Sequence, residues 1–139
     1  LIGNLDKYDN ISSYRLDRIA NIALLDGPVK NMGSVKGLEN GLNLPKHMAE
    51  HIYMFAGESV CVTFRAKRLI VNEIIDWFGT EVVFSNATGD KVDVTVRVNE
   101  NAMLCWALQF GRYIEVLSPQ SLRNEVAQTV AEIHKKYKK

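Results

Sequence analysis

Val92, Val94, Val96 and Val98 alternate with Asp93, Thr95 and Arg97. Side chains of an extended chain point in turn to opposite faces, so this segment commits to a strand with one apolar and one polar face. Its flanks extend the pattern. Val60, Val62 and Phe64 alternate with Cys61, Thr63 and Arg65, which predicts a second strand. Ile70, Val71, Ile74, Ile75 and Phe78 recur at helical spacing, and Gly79 is a plausible stop. Glu81 to Asn86 reads as a strand, and Thr88-Gly89-Asp90 as a hairpin turn. Asn99 or Glu100 opens a helix with Met103, Trp106, Ala107 and Phe110 inside, closed near Gly111; Tyr113 to Leu117 is a strand. The order over 59–117 is β-α-β-β-α-β, a ferredoxin-like split motif in an α+β chain. Ser118-Pro119 then suits a cap and first-turn proline, and a final helix carries Leu122, Val126, Val130, Ile133 and Tyr137. Its lysine-rich end, 135–139, is expected to fray into a polar tail.

The first 25 residues read as all-β: Leu1–Leu5, Ser12–Asp17 and Asn21–Leu25 as short strands, with a turn-rich loop at 6–10. Three such strands are too few for a stable core. Residues 26–43, broken by Gly27, Gly33, Gly37 and Gly41, read as a connector, followed by a short helix from Leu44-Pro45 to about Phe55 whose apolar stripe is Met48, Ile52 and Phe55. The opening Leu1-Ile2-Gly3-Asn4-Leu5 has no methionine and no cap, and is expected to be the later half of a strand in a longer protein.

Lys and Arg total 17 against 16 Asp and Glu, a net charge of +1, so any anion site must be a local cluster and not a global field. Cys61 and Cys105 lack the spacing of a zinc knuckle or redox pair; set among apolar neighbours, they are expected to be buried free thiols in a reducing, cytoplasmic protein. No apolar run reaches the length of a membrane span, and no secretory signal opens the chain.

The segment Ile11-Ser12-Ser13-Tyr14-Arg15-Leu16-Asp17-Arg18-Ile19 holds the leading site candidates. Taken as extended, it puts Tyr14, Leu16 and Arg18 on one side and Ser13, Arg15 and Asp17 on the other. Two readings follow from spacing alone: a solvated strand face with an Asp17 ion pair, or two guanidiniums at a sheet rim gripping an anion through paired hydrogen bonds. His47-Met48-Ala49-Glu50-His51 spells the inverted zinc-protease pattern, with two imidazoles one helical turn apart and Glu50 as a base. A short helix beside a linker gives little room for a third ligand, and an exposed polar face is the alternative. Arg65-Ala66-Lys67-Arg68 is basic but lacks the glycines of a phosphate loop; it reads as a solvated face or an auxiliary anion contact. Trp77 and Trp106 lie on apolar stripes and are expected in the core. No serine-nucleophile elbow and no glycine-rich phosphate loop is present.

Leu1-Ile2-Gly3 followed by Tyr14-Arg15-Leu16-Asp17-Arg18-Ile19 resembles the core of the WYL domain of bacterial transcriptional regulators. Asp76-Trp77-Phe78-Gly79, Trp106-Ala107-Leu108-Gln109-Phe110-Gly111, Ile114-Glu115-Val116-Leu117-Ser118-Pro119 and Leu122-Arg123 resemble the extension that follows such domains. The resemblance implies residues 1–26 as the C-terminal part of an Sm-like (SH3-like) β-barrel, 27–56 as linker and connecting helix, and 57–139 as a ferredoxin-like extension with an extra helix. It further implies a non-enzymatic, ligand-sensing regulatory fragment, with Tyr14, Arg15 and Arg18, and more weakly Ser13, on the ligand-facing positions. The implied ligand is a nucleotide or single-stranded nucleic acid. Promoter DNA would be bound through a helix-turn-helix domain upstream, the assembly would be a homodimer, and no cofactor, metal or membrane partner is expected. The Trp-Tyr pair that names the family is absent from this sequence. Two rival functions are a metabolite-binding dimerisation domain of the ferredoxin-like type and a metal-dependent hydrolase using His47, Glu50 and His51.

Overall fold

The computed structural model describes residues 1–55 and 57–138. The expected linker end at residue 56 and the last lysine of the tail lie outside the described residues. The chain divides into two compact units, Leu1–Leu44 and Pro45–Lys139.

In the first unit β1 (Ile2–Asn4) pairs antiparallel with β2 (Ile11–Ser13), with Ile2 opposite Ser13 and Asn4 opposite Ile11. The Asn4 amide holds the intervening loop by donating to the Tyr8 and Asn10 carbonyls, 2.8 Å each. The expected strand does not continue to Asp17. Leu16–Arg18 forms a 3-10 turn, closed by Arg18 N–H to the Arg15 carbonyl at 3.3 Å and Ile19 N–H to the Leu16 carbonyl at 3.2 Å. The sequence alternation that puts Tyr14, Leu16 and Arg18 on one face is therefore broken after Tyr14. Asn21–Leu25 is not a strand either. A strand needs a ladder partner, and Ile22, Leu24 and Leu25 are exposed without one among the described residues. The connector is more ordered than its glycines suggest. Lys36 forms a parallel bridge to Asn10, its N–H reaching the Asp9 carbonyl at 2.7 Å, and Val35 is buried. Asn31 caps the 3-10 turn Met32–Ser34 by accepting from Gly33 N–H at 2.9 Å.

The helix α1 (Leu44–Glu50), all but its first residue in the second unit, is shorter than expected. Tyr53 and Met54 have φ of 57° and 58°, a left-handed pair that ends the helix and sets Ile52–Met54 as a separate 3-10 turn. Ile52 is buried in the core; Met48, on the same expected stripe, is exposed. The sheet comprises β3 (Ser59–Lys67), β4 (Val83–Thr88), β5 (Lys91–Asn99) and β6 (Ile114–Ser118) in the order β4-β5-β3-β6, with every pair antiparallel. Between them run α2 (Val71–Phe78) and α3 (Glu100–Gln109), and α4 (Gln120–Tyr137) follows. The fraying expected from Lys135 does not occur: α4 is helical through Tyr137, because Lys138 N–H still reaches the His134 carbonyl at 3.0 Å. The β-α-β-β-α-β order expected from the valine alternation is present.

Register explains the core. Val92, Val94, Val96 and Val98 stand opposite Ala66, Phe64, Val62 and Val60. Phe64 meets Phe78 of α2 at 6.2 Å and Trp106 of α3 at 5.3 Å between ring centroids, so one β3 side chain ties both helices to the same face. Trp106 is fully buried and Phe78 meets it edge-on at 4.9 Å. Trp77 is only partly buried, against this cluster. Two local devices stop and start the helices as expected: Gly79, at φ 76°, follows α2, and the Asn99 side chain accepts from Ala102 N–H at 3.2 Å to cap α3. Ser118 is not the cap of α4; it ends β6, and no side chain caps that helix.

Candidate functional site

Ser13 closes β2 and stands opposite Ile2. Tyr14 follows, its N–H donating to the Leu1 carbonyl at 2.7 Å. Its ring lies against Gly3, where a Cβ would sit 3.7 Å from Tyr14 Cε2. Its hydroxyl is buried and has no hydrogen-bond partner among the described residues. A buried phenol without a partner forgoes a hydrogen bond that water or a ligand can supply.

Arg15 leaves the ladder in extended conformation at the start of the 3-10 turn. Its Nε and Nη2 donate to the two carboxylate oxygens of Asp17 at 3.0 and 2.6 Å. The guanidinium holds the Asp17 carboxyl below its ordinary range, and the carboxylate raises Arg15 in turn. Both side chains are 62% exposed, so solvent screens the pair and an external anion can compete for the guanidinium. Arg18 ends the same turn, exposed and without an ion-pair partner among the described residues. The turn thus keeps Tyr14, Arg15 and Arg18 within five consecutive residues but does not put them on one strand face.

The imidazoles of His47 and His51 stack at 4.3 Å between centroids. His51 Nδ1 faces the His47 carbonyl at 3.0 Å and Nε2 faces the Gly57 carbonyl at 3.4 Å. Burial, with neighbouring His51, pushes the His47 imidazole below its ordinary value. Among the described residues no group of three or more His, Cys, Asp or Glu side chains converges to hold a metal.

Cys61 and Cys105 are free and exposed, not buried as their apolar neighbours suggested. Neighbours of a strand residue point to the opposite face, so Val60 and Val62 mark the covered side and send Cys61 to the open one. Cys105 lies on the exposed side of α3, about 100° around the helix from the buried Trp106.

One ion pair on the open sheet face has no signature within any single segment of the chain. Arg65 Nε and Nη2 bind Asp93 at 2.7 and 3.1 Å, and Asn86 donates to the same carboxylate at 3.0 Å. Cross-strand register, Arg65 opposite Asp93, is the signal that would have found it.

The family model of the WCX domain matches residues 57–133, more than half of the 139-residue chain. This chain belongs to the WCX-domain family. WCX is the C-terminal domain associated with WYL-type regulators, so the match agrees with the WYL likeness of Tyr14–Ile19 and marks the second unit as a regulatory domain of such proteins. The matched WCX residues contain the whole four-stranded sheet and most of α4. No curated protein matched the sequence. Among the described residues no helix is long and apolar enough to cross a membrane.

Proposed function

We propose that this chain is the ligand-sensing part of a bacterial transcriptional regulator, with an anion receptor in its first unit and a WCX domain that passes on the state of that receptor. The observation that carries the reading is the Tyr14–Arg18 turn. It offers one guanidinium without an ion-pair partner among the described residues and a second held only by an exposed carboxylate, beside a phenol whose buried hydroxyl has no hydrogen-bond partner there. Guanidiniums suit phosphate oxygens, and a phenol adds a hydrogen bond or a stacking surface for a base. The ligand class is a nucleotide or single-stranded nucleic acid. Arg15 and Arg18 contact phosphate, Tyr14 contacts sugar or base, and Ser13 is a minor neighbour.

The first unit is read as part of an Sm-like barrel. The exposed apolar Ile22, Leu24 and Leu25 support this, since a barrel strand needs partners that the two-stranded sheet does not supply. The second unit is read as ferredoxin-like, on its element order and its β4-β5-β3-β6 sheet. The outer strand β4 is uncharged and exposed throughout, which supports a homodimer built on that edge. Promoter DNA is assigned to a separate helix-turn-helix domain, the chain is assigned no catalytic step, and the compartment is the cytoplasm.

The test is fluorescence anisotropy with a short labelled DNA single strand, competed by unlabelled nucleotides. Binding by the unaltered chain that is lost in a folded Arg15→Ala/Arg18→Ala variant supports the assignment. Equal binding by that variant contradicts it.

A further inference from the structure

One end of the open sheet face carries a hollow of about 150 Å³ lined by Arg65, Lys67, Lys91, Arg112, Tyr113 and Glu115, among others. Three elements build it. Lys67 and Lys91 are direct cross-strand partners at the last rung of β3 and the first of β5. Like charges placed opposite one another in an antiparallel pair repel, at a cost that an anion between them removes. Arg112 and Tyr113 come from the turn between α3 and β6, fixed to β3 because Lys67 N–H donates to the Tyr113 carbonyl at 2.9 Å. The hairpin turn is pinned likewise, Arg68 N–H donating to the Asp90 carbonyl at 2.7 Å. The backbone frame is therefore set before any ligand arrives.

The two carboxylates of the strands here, Asp93 and Glu115, are already engaged, and Asp90 of the hairpin turn does not line the hollow. Asp93 holds Arg65 and Asn86, and Glu115 accepts from Arg123 Nη2 at 2.8 Å. Lys67, Lys91 and Arg112 have no side-chain ion pair or hydrogen bond among the described residues. Three uncompensated cations around one hollow, in a protein of net charge +1, form a local field and not a general one.

We propose that this hollow is a second anion site, one that binds a phosphate group through Lys67, Lys91 and Arg112. The volume lies below the roughly 300–1,000 Å³ of a site enclosing a whole small molecule, so it takes a phosphate-sized anion or the phosphorylated end of a larger one. The ammoniums supply charge and Arg112 supplies directed donors. This site lies wholly within the second unit and does not depend on the Tyr14–Arg18 receptor.

Inorganic pyrophosphate titrated into the full chain, followed by amide chemical shifts, tests it. The expected result is saturable shifts centred on Lys67, Arg68, Lys91, Arg112 and Tyr113, with affinity weakened roughly ten-fold or more in Lys67→Gln/Lys91→Gln. Removing the like-charge rung leaves that double variant folded, and a thermal midpoint no lower than the parent's confirms it. The Arg15→Ala/Arg18→Ala variant keeps these shifts, which separates this site from the receptor of the first unit. Shifts that never saturate, that scatter over unrelated lysines, that persist unchanged in Lys67→Gln/Lys91→Gln, or that vanish in Arg15→Ala/Arg18→Ala overturn the proposal.

Discussion

Asp93 stands opposite Arg65 across the β3–β5 ladder and accepts both its Nε and Nη2, while its own side chain is only 5% exposed. A carboxylate so enclosed is tolerable because the Arg65 fork and the Asn86 amide together satisfy it. Asn86 sits where β4 slips register between Ser85 and Thr88, at φ 47°, so the same carboxylate also fixes the irregular end of the edge strand.

That arrangement makes Asp93 one contributor to the acid sensitivity of the second unit. The Arg65 hydrogen bond, then the Asn86 one, holds the Asp93 carboxyl below its ordinary value. The unfolded chain binds its proton first as pH falls through about 4, so the stabilisation is complete above that pH and is lost below it, fully so once the folded carboxyl itself protonates. Thermal melts followed from pH 7 to pH 2 are expected to show a lowered midpoint for Asp93→Asn at neutral pH and a shallower decline on acidification. Parallel curves for parent and variant contradict this.

Core contacts predict a contrast between the units. Phe64 is fully buried between Phe78 and Trp106, and Phe64→Ala is expected to cost about 3–5 kcal/mol in denaturant unfolding. Leu24, fully exposed, is expected to cost under about 0.5 kcal/mol as Leu24→Ala.

Asp17 competes with any external anion for Arg15. Asp17→Asn removes that competitor and one negative charge beside Arg18. Affinity for a single-stranded oligonucleotide is expected to rise several-fold at low salt, with a smaller gain at high salt as screening grows. Unchanged or weaker binding at low salt contradicts the role given to Arg15.

Zinc occupancy separates the regulatory reading from the hydrolase one. His51 presents both ring nitrogens to backbone carbonyls and His47 stacks on it, an arrangement of packing and not of convergent ligands. Metal analysis after dialysis is expected to find less than stoichiometric zinc, unaffected by His47→Ala. One zinc per chain, lost in that variant, favours the hydrolase.

How much could be read from residues alone followed a physical line. The valine alternation of 92–98, Gly79 after α2 and a helix start at Asn99 or Glu100 were legible because each is a local signal whose geometry tertiary contacts then reinforce. The family likeness of 106–119 was legible for the same reason and agrees with the WCX match. Asn21–Leu25 misled because apolar content favours a strand only where a neighbouring edge exists. Leu16–Arg18 misled because the Arg15–Asp17 chelate and the 3-10 hydrogen bonds close over so few residues that alternation cannot reveal them. The Arg65–Asp93 pair and the Lys67–Lys91 rung depend on cross-strand register, which no single segment encodes.

The salt dependence of oligonucleotide binding tests the proposed guanidinium receptor most directly. Each phosphate neutralised on a single strand contributes about 0.7 to the slope of log K against log salt concentration. Replacing Arg15 and Arg18 together with alanine is expected to weaken binding at every salt concentration and to reduce that slope by about 1.4. A folded double variant that keeps the parent's affinity and slope contradicts an anion receptor at this turn.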